Sequence, residues 1–224
     1  WVYACHLDEI PEPGHFLLFS RLGSPILIVH GKDGEIRAFY NTCAHRGAPL
    51  VKDACGKTEG LVCQYHGWTY GLDGRLLNLR DKRDFLGLDL SCHALAAVRC
   101  ERLGNFIFVT EDRDARPLLE CMGHIPWYFS ELKPEQTRFV HKKSYHVKCN
   151  VKVLLDAFLE VYHIRTVHPD NAALLYDDTT VTVAMLPNGH SRLTVGIKPE
   201  LMGIMDPSPI ADNPSVGALW RETS

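Results

Sequence analysis

Two short segments that each mix cysteine with histidine constrain this chain more than anything else in it. Cys43-Ala44-His45 is followed, after residues 46–62, by Cys63-Gln64-Tyr65-His66, so the pattern reads C-x-H then C-x-x-H. Two thiolates and two imidazoles on paired loops suit a [2Fe–2S] cluster in which one iron takes sulfur and the other nitrogen. Replacing two thiolates by neutral imidazoles removes negative charge and raises the potential above that of a four-cysteine cluster. A one-electron relay of this kind implies a destination for the electrons.

Structural zinc is the competing reading. Zinc fingers space their ligands differently, commonly two to four residues between cysteines and three to five between histidines. Here each half mixes the two residue types. The flanks, His45-Arg46-Gly47-Ala48-Pro49 and His66-Gly67-Trp68-Thr69-Tyr70, also differ from a zinc knuckle. Gly47 and Gly67 are expected to let backbone N–H groups approach the sulfurs and tune the cluster.

On Cys43-x-His45-Arg46-Gly47 and Cys63-Gln64-Tyr65-His66-Gly67-Trp68-x-Tyr70, the chain resembles the Rieske non-haem iron oxygenases. Within them it resembles the large (α) terminal-oxygenase subunit of the aromatic-ring-hydroxylating type. Respiratory Rieske proteins carry an extra cysteine in each cluster loop and join the two as a disulfide. The matching positions here are Ala48 and Tyr65, which points to the low-potential oxygenase and ferredoxin branch.

Composition sets the outer limits. The chain has 224 residues, 46% hydrophobic and 23% charged, with net charge −3, an ordinary globular balance. Nothing in the charge pattern argues for nucleic acid or an anionic membrane surface. The longest apolar run, Pro25 to His30, is strand-sized rather than membrane-spanning. The cysteines outside the motif (Cys5, Cys55, Cys92, Cys100, Cys121, Cys149) show no pairing rhythm, so buried or free thiols in a reducing cytoplasm are expected. The chain opens at Trp1 and closes on Ser224, and is expected to be a fragment of a longer protein.

Along the chain, Ile26–Val29 and Ile36–Tyr40 read as strands joined by the turn Gly31-Lys32-Asp33-Gly34. Trp68 to Leu77 reads as a second hairpin about Leu72-Asp73-Gly74, and Asn105–Thr110 as a further strand. This predicts an all-β cluster-bearing domain over residues 1–113. The charged stretch Glu111 to Pro117 reads as a solvated linker. Residues 114–224 are expected to begin a second domain: a strand near Arg138–Lys148, a helix over Asn150–His163, and a hairpin. That hairpin pairs Thr179–Leu186 with Ser191–Ile197 about Asn188-Gly189. Residues 203–218, rich in Pro, Gly and Asp, read as irregular.

The predicted helix is apolar almost all round, with Lys152, Asp156, Glu160 and His163 in one stripe. It is therefore expected to be buried, its stripe facing a metal, a cavity or another charge. A surface helix with a Lys152–Asp156 pair is the plainer alternative. His168 follows His163 after four residues, so the helix must bend or end between them. Two imidazoles and one carboxylate are the ligand set of non-haem ferrous sites.

The resemblance extends to Asn150-Val151-Lys152, Asp156-Ala157, Glu160-Val161-Tyr162-His163 and His168. It implies that His163 and His168 bind a mononuclear Fe(II) and that Glu160 bridges this iron to His66 of a neighbouring subunit. The cluster ligands it implies are Cys43, His45, Cys63 and His66. It further implies an α+β, helix-grip second domain with an antiparallel sheet, and a homotrimer or α3β3 assembly. Electrons would come from an NAD(P)H-dependent reductase, with or without a ferredoxin, and O2 would be inserted into a small organic, aromatic substrate. Val151 and Ala157 depart from a common tryptophan and asparagine. The family's carboxylate ligand lies more than a hundred residues beyond the histidines, so no third protein ligand is assigned; Asp170, Asp177, Asp178 and Asp206 do not fit. The alternative is an electron-transfer protein or a remnant with an inactive second domain.

Overall fold

The run Ile26-Leu27-Ile28-Val29 explains how the first part of the chain is built. Successive side chains of a strand point to opposite faces, yet all four are fully buried, so both faces of this strand are covered. Ile26 and Ile28 pack with Cys5, Phe19, Ile107 and Val109. Leu27 and Val29 pack on the other side with Phe16, Phe39, Leu61, Trp68 and Tyr70.

The computed structural model describes residues 1–201. The chain divides into two compact units, Trp1–Cys121 with Lys133–Val140, and Met122–Leu132 with the chain from His141 onward. The first unit contains β1 (Val2–His6), β2 (His15–Leu22), β3 (Ser24–His30), β4 (Ile36–Tyr40), β5 (Cys55–Lys57), β6 (Leu61–Val62), β7 (Thr69–Tyr70), β8 (Leu76–Asn78), β9 (Ala97–Leu103) and β10 (Phe106–Thr110). Seven of them form a curled antiparallel sheet in the order β1-β10-β9-β4-β3-β2-β5, and β6-β7-β8 form a small second sheet. The apolar cluster containing Leu27 and Tyr70 lies between the two sheets and reaches the motif cysteines.

The same turn closes both predicted hairpins. Gly34 N–H donates to Gly31 O at 3.0 Å and Gly31 N–H to Glu35 O at 2.8 Å; Gly74 N–H donates to Gly71 O at 3.0 Å and Gly71 N–H to Arg75 O at 2.9 Å. In each, the aspartate at the third position pairs with a nearby arginine, Asp33 with Arg37 and Asp73 with Arg75. Segment Pro134–Phe139 returns to this unit: Asn105 Nδ2 donates to Glu135 O and Thr137 O, and Phe139 N–H to Asp8.

After α1 (Leu118–Met122), the second unit contains α2 (Ile125–Ser130), α3 (Val151–Phe158), α4 (Ile164–Val167), α5 (Ala172–Leu175), β11 (Tyr176–Met185) and β12 (Ser191–Ile197). The expected hairpin is present, with Asn188 at φ +63° and Gly189 at φ +78°. The strand expected over Arg138–Lys148 is not formed. An isolated strand leaves its N–H and C=O groups unpaired, and no described strand pairs with it. The helix expected over Asn150–His163 ends early: only Val151–Phe158 is helical, and α4 begins beyond the range at Ile164. The Asn150 side chain caps α3, accepting from Lys152 N–H at 2.9 Å, and α3 ends at Phe158. Glu160 and His163 therefore leave the stripe of Lys152 and Asp156. The expected burial of this helix is also not seen: Val151 and Phe158 are 63% and 73% exposed, because no described element covers it. Residues 203–218 lie outside the described residues. Among the described residues no helix is long and apolar enough to cross a membrane.

Candidate metal centres

Each motif cysteine opens a tight loop, and the two loops close in the same way. Cys43 N–H donates to Ala48 O and Gly47 N–H to Cys43 O, both at 2.8 Å; Cys63 N–H donates to Trp68 O at 2.8 Å and Gly67 N–H to Cys63 O at 2.9 Å. Gly47 and Gly67 have φ of +68° and +72°, the left-handed conformation that glycine adopts without penalty. The N–H groups of Gly47 and Gly67 themselves are used in closing the turns, on the carbonyls of Cys43 and Cys63. The first loop leaves β4 and is pinned by buried Asn41, whose amide donates to Val51 O and accepts from Leu50 and Val51 N–H. The second loop joins β6 to β7.

The loops bring the four motif side chains together. Cys43 and Cys63 are buried, at 3% and 2% exposure. The rings of His45 and His66 lie 4.6 Å apart, edge to face. The Nδ1 atoms of both rings are buried and have no hydrogen-bond partner. Buried polar atoms without partners are rare and call for an explanation such as an ion. Among the described residues no three His, Cys, Asp or Glu side chains converge on one metal position. A structural zinc needs four ligands on one ion, whereas each iron of a mixed-ligand [2Fe–2S] cluster takes two from the protein. The donor set fits the cluster.

Tyr70, fully buried on β7, supplies a contact that the motif did not announce. Its hydroxyl lies 3.2 Å from Cys43 Sγ and accepts from Ala44 N–H at 3.1 Å. Burial, then the hydrogen bond to Cys43, pushes this phenol well above its ordinary range. Burial, with His66 and Arg46 nearby, holds the His45 imidazole below its ordinary value. A neutral ring is the form that binds a metal. Trp68 stacks flat on His45, centroids 4.8 Å apart and planes 5° apart.

In the second unit, Glu160, His163 and His168 come together around α4. His163 N-caps this short helix, and His168 leaves it with φ −125° and ψ 47°. That departure turns the two rings to 5.4 Å, edge to face. Glu160 accepts from His163 Nδ1–H and, at 3.2 Å, from the His163 backbone N–H. The hydrogen bond from His163 is the main reason its carboxyl sits below the usual range. An imidazole whose Nδ1–H is held by a carboxylate presents Nε2 to a metal. Asp178 pairs with Arg165 at 2.5 Å, and Asp177 accepts from Thr179, so both are engaged away from the histidines. Asp206 lies outside the described residues.

Comparison with known proteins gives the same two parts. Residues 1–100 match the Rieske [2Fe-2S] domain, and residues 134–219 match the ring hydroxylating alpha subunit (catalytic domain). The chain is 33% identical, over 80% of its length, to the glycine betaine monooxygenase oxygenase subunit of Chromohalobacter salexigens, of which it covers 40%. It is 31% identical, over 75% of its length, to the naphthalene 1,2-dioxygenase large oxygenase component of Pseudomonas putida, of which it covers 39%. A quaternary ammonium Rieske monooxygenase solved with L-carnitine superposes with a TM-score of 0.75 at 26% identity, over 84% of this chain and 54% of that one. Naphthalene 1,2-dioxygenase from Rhodococcus, solved with indole, gives 0.77 at 25% identity, over 89% and 48%. The chain thus spans roughly half or less of the relatives it matches. The chain therefore carries a Rieske [2Fe–2S] domain followed by part of a ring-hydroxylating α-subunit catalytic domain, and is similar to the oxygenase subunits named above.

Proposed function

We propose that this chain is the cluster-bearing part of a terminal oxygenase. In this reading Cys43 and Cys63 hold one iron of the [2Fe–2S] cluster, His45 and His66 hold the other, and His163 and His168 hold a ferrous ion. The observation that carries it is the pair of partnerless Nδ1 atoms beside two buried thiols. When bound, the cluster passes on single electrons and the ferrous ion activates O2 beside an organic substrate.

The chain's own residues prepare both sites. Burial keeps His45 neutral, and Tyr70 directs its O–H at the Cys43 sulfur. Glu160 fixes the tautomer of His163 and, in an assembled trimer, bridges to His66 of the neighbouring subunit. Electrons arrive from an NAD(P)H-dependent reductase, directly or through a ferredoxin. The third iron ligand is an acidic side chain of the longer protein. Cys43, Cys55, Cys63, Cys92, Cys100 and Cys149 form no disulfide among the described residues, which suits a reducing cytoplasm.

The reaction class is oxygen insertion into an aromatic ring. A second reading, oxidation of a quaternary ammonium compound, is favoured by the relative from Chromohalobacter salexigens at 33% identity. The test uses full-length protein, reconstituted anaerobically and supplied with NADH and reductase. Expected are a Rieske EPR signal after dithionite, a third tightly held iron, and O2 uptake coupled to naphthalene or glycine betaine, which separates the two readings. A Rieske signal with no third iron leaves an electron carrier only. A colourless, EPR-silent protein would end the proposal.

A further inference from the structure

The two histidines of the cluster loops are held unequally. His45 lies against Trp68 with ring planes 5° apart and centroids at 4.8 Å, the offset stack that aromatic rings prefer. Trp68 is buried and is itself held by two further rings, Phe85 at 6.0 Å and His93 at 5.8 Å, both edge to face. Phe85 also meets His45, at 6.4 Å and 83°. Both outer rings are fixed in their turn. Phe85 packs on the core that contains Cys43, Cys63 and Trp68, and His93 Nδ1–H donates to Asp89 O at 3.0 Å. The stacking partner of His66 is Tyr65, at 3.8 Å and tilted by 33°. That ring is 60% exposed, so the wall beside His66 stands in solvent while the wall beside His45 is part of the core.

The difference matters because of what else sets a ring angle. An imidazole turns about two side-chain torsions, and freezing them when a metal binds costs entropy unless they are already fixed. Glu160 fixes the His163 ring through its Nδ1–H. No hydrogen bond does this at Nδ1 of His45 or His66. For His45 the indole, with Phe85 across its edge, supplies the constraint by packing instead. Groups that orient a ligand ring from behind typically change metal affinity about 10- to 100-fold.

We propose that Trp68 is a positioning residue that locks the His45 ring in its ligating orientation, and that His66 is the ligand left free to turn. This rests on the reading of His45 and His66 as the two imidazole ligands of one cluster iron. Trp68 acts only through the face of His45; it donates nothing to the iron.

The test is pulsed EPR of the full-length holoprotein reduced with dithionite, which reads the nitrogen couplings of the two iron-bound imidazoles separately. In Trp68→Leu one coupling should shift and broaden while the other keeps its wild-type value, because only one ring has lost its wall. The same variant should lose cluster iron to a chelator about tenfold faster. Trp68→Phe, which keeps a flat face, should recover most of both effects. Tyr65→Leu should leave the coupling that Trp68→Leu disturbs as it is. If Trp68→Leu fails to fold, the Phe85→Leu/His93→Ala double variant carries the test: it removes the rings that hold the indole and should also disturb one coupling alone. Couplings that both stay unchanged, or that both move alike, would overturn the lock and leave Trp68 as core packing only. A wild-type protein without any Rieske signal instead removes the cluster reading beneath it.

Discussion

The hydroxyl of Tyr70 stands 3.2 Å from the sulfur of Cys43, and its oxygen is already taken by the N–H of Ala44. A metal-bound Cys43 thiolate has no proton to give, so in the loaded protein the Tyr70 O–H is the donor. A hydrogen bond to a cluster thiolate strengthens as the cluster gains negative charge on reduction, so it stabilises the reduced state and raises the potential. Tyr70→Phe should therefore lower the cluster potential. Taking about 1.4 kcal/mol for the differential bond, the drop is roughly 60 mV for a one-electron couple. An EPR-monitored redox titration measures it; an unchanged potential would show that the bond is no stronger in the reduced state.

The loop glycines separate strain from crowding. A Cβ at Gly47 meets nothing within 4 Å, and one at Gly67 meets only Arg80 Cβ at 3.8 Å. Alanine at either position should cost only the left-handed conformation, about 1–2 kcal/mol. A Cβ at Gly74, with φ +84°, would lie 2.4 Å from the ring of Phe39, so overpacking of about 1–3 kcal/mol adds to the strain. Urea unfolding of the apoprotein should rank Gly74→Ala as the most destabilised of the three. Equal midpoints would mean that Phe39 moves aside freely.

What the sequence discloses depends on how local the cause is. The cysteine–histidine loops are legible because ligand chemistry demands those residue types, and Gly31-Lys32-Asp33-Gly34 and Asn188-Gly189 mark turns that need their backbone freedom. The contact between Tyr70 and Cys43 joins β7 to the first cluster loop, 27 residues away in the chain, and no periodicity encodes it. The end of α3 is also unmarked. No glycine or proline follows Phe158, and the apolar run continues through Leu159 and Val161. The helix stops there as Leu159 N–H turns to Asp156 O, after which Glu160 accepts from the N–H of His163. The segment 138–148 alternates like a strand, but a strand exists only with a partner. The return of Pro134–Phe139 onto Asn105 and Asp8 has no local signature.

The His45 ring carries a pH dependence of known sign. Burial holds its folded-state value below the ordinary histidine value, so the unfolded chain binds the proton more readily than the folded one. Stability of the apoprotein should then fall as pH drops below about 6.5, and level off once the folded state also protonates. At higher pH this contribution is flat. His45→Gln should flatten the profile below that value. Thermal unfolding of metal-free wild type and variant from pH 7.5 to 5 compares them, and parallel curves would show that other groups set the acid limit.

Glu160 offers a way to separate the two metal sites. Its carboxylate takes the Nδ1–H of His163 and the backbone N–H of the same residue, so it sets both the tautomer of that ring and the start of α4. The hydrogen bond from His163 keeps this carboxyl below its usual range, so it is ionised across neutral pH. Glu160→Gln retains an acceptor oxygen but gives up the charge, and its amide offers protons where the imidazole also donates. Loss of a carboxylate behind a metal-binding histidine typically lowers metal affinity about 10- to 100-fold. Full-length Glu160→Gln should therefore release the third iron to a chelator more readily, while its cluster iron, visible spectrum and EPR signal match the wild type. Glu160→Asp, which keeps the charge on a shorter arm, should recover part of the affinity. If all three proteins hold the third iron equally, Glu160 does not orient His163 as a ligand. If the variants lose the cluster signal as well, the effect is on folding and not on the site.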